Sequence, residues 1–416
     1  MGKRKFCIFS TLQNLLSSRD GIKLKTILSI CVATKNRYYY LKFLVKYFNS
    51  INSNEIELVI HDNSELGANK DFVNFLDYIN DPRVKYYYLE ESVSQTENFD
   101  HVVSKASGEY VTMLGDDDIF SKYLIEYVKQ WSRNEIDAIL PLKGLYTWPD
   151  VIPRFYKNSS GVFQPTECTG KVECVDAYSL LDEVMKTGGT QILNLPRVYH
   201  GVVRKNILDQ VYQESGSYFP GPSPDMANAI ALCKYVKKYI SIDIPLVISG
   251  QGSLSAAGKG ATGHHHGEIS KVEQLPKDAS SKWTPGVPFY WSGNTIYAES
   301  VIHSLKRMNM SEYISKFNYE YLYARCFVFD ANYNNFIKSA IKVKRGEKKI
   351  KMYKIYYYII NFWIKRILFH LRRKATTLLL SLFNHKDDAV IKKDDVLEVA
   401  LLNDCHIFSK NNNYDL

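Results

Sequence analysis

Residues 106–119 read ASGEYVTMLGDDDI. Positions 110–114 form a short run of aromatic, β-branched and aliphatic side chains, the pattern of a buried strand. The run ends at Gly115 and meets three consecutive carboxylates, Asp116, Asp117 and Asp118. Three like charges at the end of a buried strand repel one another and are costly without a compensating cation. A hard divalent metal supplies one, taking carboxylate oxygen on one side and diphosphate oxygen on the other. The competing reading is a plain acidic turn, because Asp is favoured in solvated turn positions.

The surroundings of this stretch favour the site. Residues 27–33, 56–61 and 84–89 read as further strands, and 39–49, 70–79 and 97–105 carry apolar residues at helical spacing. Strand–helix alternation at this rhythm predicts right-handed βαβ units and a mostly parallel sheet, which binds ligands at the carboxyl ends of its strands. There the chain places Thr34, Lys35, Asn36 and Arg37 after the first strand and Asp62 after the second. Asp62 is positioned to accept hydrogen bonds from a base or ribose beside the metal.

Beyond residue 142 the pattern is less regular. A loop-like stretch over 148–170 precedes a helical pattern at 175–186, a strand-like 197–203, a helix opening at Ser223-Pro224-Asp225, and a strand at 240–249. Residues 250–267 hold six glycines and the run His264-His265-His266. Loops this long in a compact domain are functional or act as linkers. Imidazole suits Mn²⁺, so His265 is a candidate to complete a metal shell, and Lys259 a candidate diphosphate contact. Arg197 and His200 are candidates for an acceptor or donor phosphate. Ser, Pro and Asp at 223–225 also make a good helix start by capping and dipole rules alone.

The chain has 416 residues, enough for two to three folding units; 45% are hydrophobic and 23% charged, which excludes a wholly disordered protein. Seven cysteines without a CxxC pair argue against a disulfide framework or a structural zinc site, and for a reducing compartment. Residues 1–25 show no secretory signal, so a cytoplasmic location is expected. The net charge of +9 is uneven: residues 338–374 carry +12 and the remainder −3, so nucleic-acid binding by the main domain is not expected. Residues 351–383 mix aromatics and aliphatics with Lys and Arg, and their longest uncharged stretch is too short to span a bilayer. They read as an interfacial element contacting an anionic membrane surface, or as a helix packed on the catalytic domain.

Residues 29–37 (SICVATKNR), 57–64 (ELVIHDNS) and 106–119 resemble the nucleotide-binding half of family 2 glycosyltransferases with the GT-A fold. Residues 196–231 are similar to the acceptor half of members that build bacterial surface polysaccharides. The resemblance implies an α/β fold with a GT-A (Rossmann-like, mostly parallel) catalytic domain, and the residue pattern after 294 adds a mainly helical C-terminal region. The resemblance covers about residues 26–250; with the residue patterns beyond it, the chain is expected to divide into an N-terminal extension (1–25), a nucleotide-sugar half (26–142), an acceptor half (143–293), a helical region (294–385) and a polar, loosely held tail (386–416). The resemblance implies inverting transfer from a nucleotide sugar, UDP-linked, to a glycan or lipid-linked saccharide, with Mn²⁺ or Mg²⁺ as cofactor. By the same resemblance Thr34, Asn36, Arg37, Asp62 and Asp116 bind the donor, and Asp117 holds the metal, with Asp118 beside it. Asp225 is the base, although the family's Glu-Asp pair reads Pro-Asp here. The alternatives are a sugar-nucleotide nucleotidyltransferase, disfavoured because 34–37 contain no glycine, and a non-catalytic glycan- or lipid-binding module on a transferase fold.

Overall fold

The computed structural model describes residues 25–151, 160–255, 258, 266–347, 350–383, 391–393 and 395–411. Its first half alternates as expected: β1 (Leu28–Thr34), α1 (Tyr38–Ser50), β2 (Ile56–Asp62), α2 (Lys70–Ile79), β3 (Val84–Tyr88), α3 (Gln95–Ser104) and β4 (Tyr110–Leu114). β1 lies in parallel between β2 and β4, and β2 pairs in parallel with β3, so all four carboxyl ends share one edge of the sheet. β1 is apolar along nearly its whole length because both of its faces are covered. Cys31 and Ala33 enter one core, and Leu28, Ile30 and Val32 the other. α3 starts at a capping box in which the Ser94 and Glu97 side chains satisfy each other's backbone N–H.

The chain continues through β5 (Ile119–Phe120), α4 (Leu124–Ser132), β6 (Ala138–Thr147), β7 (Val162–Gln164), β8 (Val172–Cys174), α5 (Ala177–Lys186), β9 (Val202–Arg204), α6 (Lys205–Ser215), α7 (Pro224–Leu232) and β10 (Tyr239–Gln251). The C-terminal part is mainly helical: α8 (Gly293–Arg307), α9 (Tyr319–Phe329), α10 (Asn334–Glu347), α11 (Met352–Phe383), the short β11 (Ile391–Lys392) and α12 (Val396–Asn411). The sheet runs β11-β7-β6-β9-β4-β1-β2-β3, with β10 beside β6, β5 and β8. Its long ladders are parallel, including β6 with β10, and the antiparallel ones are short. The expected α/β class, a mostly parallel sheet with a helical C-terminal region, is what is observed.

Two segments differ from expectation. The predicted strand at 197–203 shrinks to β9, because His200 takes a left-handed φ of 60° that no regular strand accommodates. Residues 198–200 instead lie along the end of β4, where Met113 N–H donates to Val198 O and His200 N–H to Met113 O, both at 2.9 Å. The tail expected to be loosely held forms α12 and docks. Val396, Val399, Ala400 and Ile407 recur at helical spacing and are buried. Asn403 donates to Pro245 O at 2.8 Å, while the Asp404 carboxylate accepts from Ser121 at 2.5 Å and Tyr47 at 3.2 Å.

Glu57 ties the opposite end of the sheet. Its buried carboxylate accepts from Ser29 Oγ at 2.5 Å and from Ser107 N and Oγ at 2.7 and 2.8 Å, and pairs with Lys85. Burial works against its charge, but these donors hold its pKa below the usual range. A depressed carboxylate pKa stabilises the fold above the unfolded value, about 4.3 for Glu, and that contribution is lost as pH falls through the folded value. Glu57→Gln is therefore expected to lose about 1–3 kcal/mol at neutral pH. Urea unfolding should show the gap from wild type closing as the buffer is acidified; an equal gap at pH 7 and pH 3 would contradict this account.

Candidate active site

The three carboxylates beyond β4 have different environments. Asp116 is fully buried; its Oδ2 accepts from Thr34 Oγ1 at 2.7 Å and faces Arg37 Nε at 2.9 Å, whereas its Oδ1 has no protein partner. Burial raises its pKa despite Arg37. Burial also opposes the charge on Arg37, but Asp116 and Asp117 more than offset this and strengthen its hold on the proton. Asp118 has both oxygens committed: Oδ2 to His200 Nε2 and Gly115 N–H at 2.6 Å each, Oδ1 to Gly250 N–H at 2.8 Å. Burial pushes its carboxyl up, and His200 with the two backbone donors brings it below the ordinary range.

Asp117 is the least compensated. It receives one hydrogen bond, from Gly252 N–H at 2.8 Å, and burial together with Asp118 and Asp116 pushes its carboxyl up to about 7. Its main chain is clamped by Trp148 Nε1, which donates to Asp117 O at 3.0 Å. The end of β10 passes so close that a Cβ on Gly250 would collide with the same carbonyl. The acidic loop therefore depends on a glycine 133 positions later.

Behind this layer, Asp62 accepts from Tyr38 and Tyr86 hydroxyls at 2.6 Å each and from Ser64 N–H at 2.9 Å. Asn36, at a left-handed φ of 57°, donates its N–H to Ser64 Oγ at 2.7 Å and so joins the loops after β1 and β2. Asn98 of α3 bridges Thr34 O and the His61 ring, tying the loop after β1 to β2.

The other wall comes from α7 and its neighbours. Asp225 sits in the first turn of α7, whose start is set by Pro224 at the first helical position. Its carboxylate accepts from Ser223 Oγ at 2.6 Å and from the Tyr297 hydroxyl of α8 at 2.7 Å. Arg197 donates to Leu193 O at 2.8 Å, and burial lowers its pKa. Lys143 of β6 lies 3.4 Å from His200 Nδ1, and burial lowers its pKa as well.

One cavity of about 1170 Å³ gathers these walls: Thr34, Asn36, Arg37, Asp117, Arg197, His200 and Asp225 all line it, as does Lys143. Asp62, Asp116 and Asp118 lie behind the lining: Asp62 holds Ser64, which accepts from Asn36 N–H, Asp116 pairs with Arg37, and Asp118 with His200. Lys259 and His265 lie outside the described residues. Among the described residues no three His, Cys, Asp or Glu side chains converge as a ready-made metal centre. Sequence reasoning missed Lys143, Trp148 and Tyr297, three single residues in elements with no motif of their own. Only the ladder β6·β10 and the packing of α8 on α7 bring them in.

Residues 29–159 match the family model described as Glycosyl transferase family 2. An uncharacterized glycosyltransferase of Mycoplasma genitalium, MG060, is 34% identical over 121 residues, covering 27% of this chain. The chain spans 40% of the length of that relative. Among solved structures, S. aureus TarS 1–349 in complex with UDP-GlcNAc aligns at 14% identity and a TM-score of 0.44, over 77% of this chain and 92% of that one. The longer S. aureus TarS aligns at 15% identity and a TM-score of 0.40, over 55% of this chain and 37% of that one. The match to the family 2 model runs from β1 through the acidic loop past Trp148, and that matched segment supplies the Thr34–Arg37 and Asp117 wall of the cavity.

Proposed function

We propose that the protein is a metal-dependent inverting glycosyltransferase. It moves a sugar from a UDP-linked nucleotide sugar to a glycan or lipid-linked saccharide met at the cytoplasmic face of a membrane, in bacterial surface-polysaccharide synthesis. The observation that carries the reading is that Arg37 and Asp117, inside the family 2 segment, and Asp225, outside it, open onto one cavity.

The donor set fits a divalent cation. Asp116 Oδ1 is buried without a partner and Asp117 is under-compensated at the cavity wall, while Asp118 is already spent on His200 and backbone donors. Hard cations of this kind bind through one or two carboxylates plus substrate phosphates. Mn²⁺ or Mg²⁺ held by Asp117, with Asp116 behind it, would supply charge neutralisation for the departing diphosphate. Arg37, anchored by Asp116, offers its remaining donors to the same phosphates. Thr34 and Asn36 shape the nucleotide end, with Asp62 holding Tyr38, Tyr86 and Ser64 in place around it. At the acceptor end the attacking hydroxyl forms the new bond to the anomeric carbon as the bond to diphosphate breaks, and its proton passes to Asp225. Ser223 and Tyr297 fix the rotamer of that carboxylate. Arg197 and His200 face the acceptor.

Asp225→Asn is expected to lower transfer by about 10²–10⁴-fold, the usual contribution of a positioned base, while keeping donor binding. Turnover of nucleotide sugars followed by UDP release, alongside thermal shift with UDP, checks both halves; wild-type turnover would remove Asp225 from the role. For Asp117→Asn, the stabilisation of the protein by UDP plus Mn²⁺ should disappear while the metal-free unfolding midpoint does not fall. Retention of the Mn²⁺-dependent shift would exclude Asp117 as the metal ligand.

A further inference from the structure

We propose that the outer face of α11 is a docking surface for an anionic lipid bilayer, which deepens the reading that the acceptor is met at a membrane. α11 runs for 32 residues, and its two faces differ. Through Phe362 the inner face is taken: Ile355 and Phe362 are buried, and the rings of Tyr358 and Phe362 pack on Tyr321 of α9 with centroids 5.2 and 5.0 Å apart, while Phe369 further along is exposed. On the opposite face Tyr353, Tyr357, Ile360, Ile364, Ile367 and Leu371 follow one another at steps of four and three residues and are 48–66% exposed. Tyr356, Trp363 and Leu368 widen this stripe and are exposed too. At 3.6 residues per turn these side chains cover an arc of about 140°.

The charge around the stripe selects its occupant. Lys354, Lys365 and Arg372 recur along one border of it, all exposed, and no Asp or Glu occurs between Glu347 and Asp387. A second copy packed antiparallel on this face would set two such cationic borders side by side with no carboxylate between them, like charges that repel. A two-stranded coiled coil would also use a narrower seam than this arc. Among the described residues no helix is long and apolar enough to cross a membrane. A wide apolar face with Tyr and Trp, bordered by Lys and Arg, instead fits a helix lying in the plane of the headgroups, its rings at the acyl boundary and its cations on anionic lipid. The partner is thus a bilayer surface carrying net negative charge.

Vesicle sedimentation of the full chain, without donor or acceptor, tests this separately from the transfer reaction. The chain is expected to co-sediment with phosphatidylcholine vesicles containing phosphatidylglycerol and not with pure phosphatidylcholine vesicles. Two variants are compared, I360Q/I364Q/I367Q and K354Q/K365Q/R372Q; none of these residues belongs to the cavity, and all are exposed, so thermal midpoints and donor-dependent thermal shifts should match wild type. The charge variant should bind anionic vesicles roughly a hundredfold more weakly, at about fivefold for each of the three cations removed. The apolar variant should lose binding to a comparable extent. The proposal is overturned if the apolar variant binds anionic vesicles like wild type. It is equally overturned if the wild-type chain ignores vesicles and light scattering shows a dimer that the apolar variant converts to monomer, which would assign the stripe to a second copy. Should vesicle binding hold while UDP stabilisation is absent, the docking surface stands and the transferase reading falls.

Discussion

Three carboxylates are buried side by side at the end of β4, and the architecture around them distributes that charge. Thr34 at the end of β1 and Arg37 just after it solvate and neutralise one oxygen of Asp116, and His200 with two backbone N–H groups holds Asp118. Only Asp117 is left with a single donor, and it is the one that faces the cavity. Burying like charges without compensation is expensive, so the residue with least protein compensation is where a bound cation gains most.

The compensation comes from far along the chain. Gly250 and Gly252, at the end of β10, must approach the acidic loop closely enough to donate their N–H groups, and a side chain on Gly250 would prevent it. Asp225 is held by Tyr297, which belongs to the helical C-terminal part. The segment that matches the family 2 model supplies one wall of the cavity, while the opposite wall and several props of the first come from beyond it. Cutting the chain after the family 2 segment would remove Asp225, both glycine donors and Tyr297 together.

The C-terminal helices have two duties that their composition blends. α12 is part of the fold, inserting Asp404 between Tyr47 and Ser121. α11 packs with one face on α9 and leaves a second apolar face outside. A sequence that is apolar nearly all round, with its charges at borders, encodes both faces at once, and only the packing shows which one is spent.

The sequence by itself determined the strand–helix rhythm of the first half, because period-two and period-3.6 patterns report burial directly. It also determined which loops would carry polar residues, since in a parallel sheet only strand ends are free to hold them. Thr34, Asn36, Arg37 and Asp117 were legible on that ground, and Asp225 through the family resemblance; with Arg197 and His200 they line one cavity. The tertiary structure alone decided which carboxylate is left under-compensated, because this depends on donors such as Gly252 and His200 that no spacing rule connects to β4. It alone moved Asp62 and Asp118 behind the lining and docked α12. These outcomes are set by long-range pairing, where a single hydrogen bond carries no periodic signature in the chain.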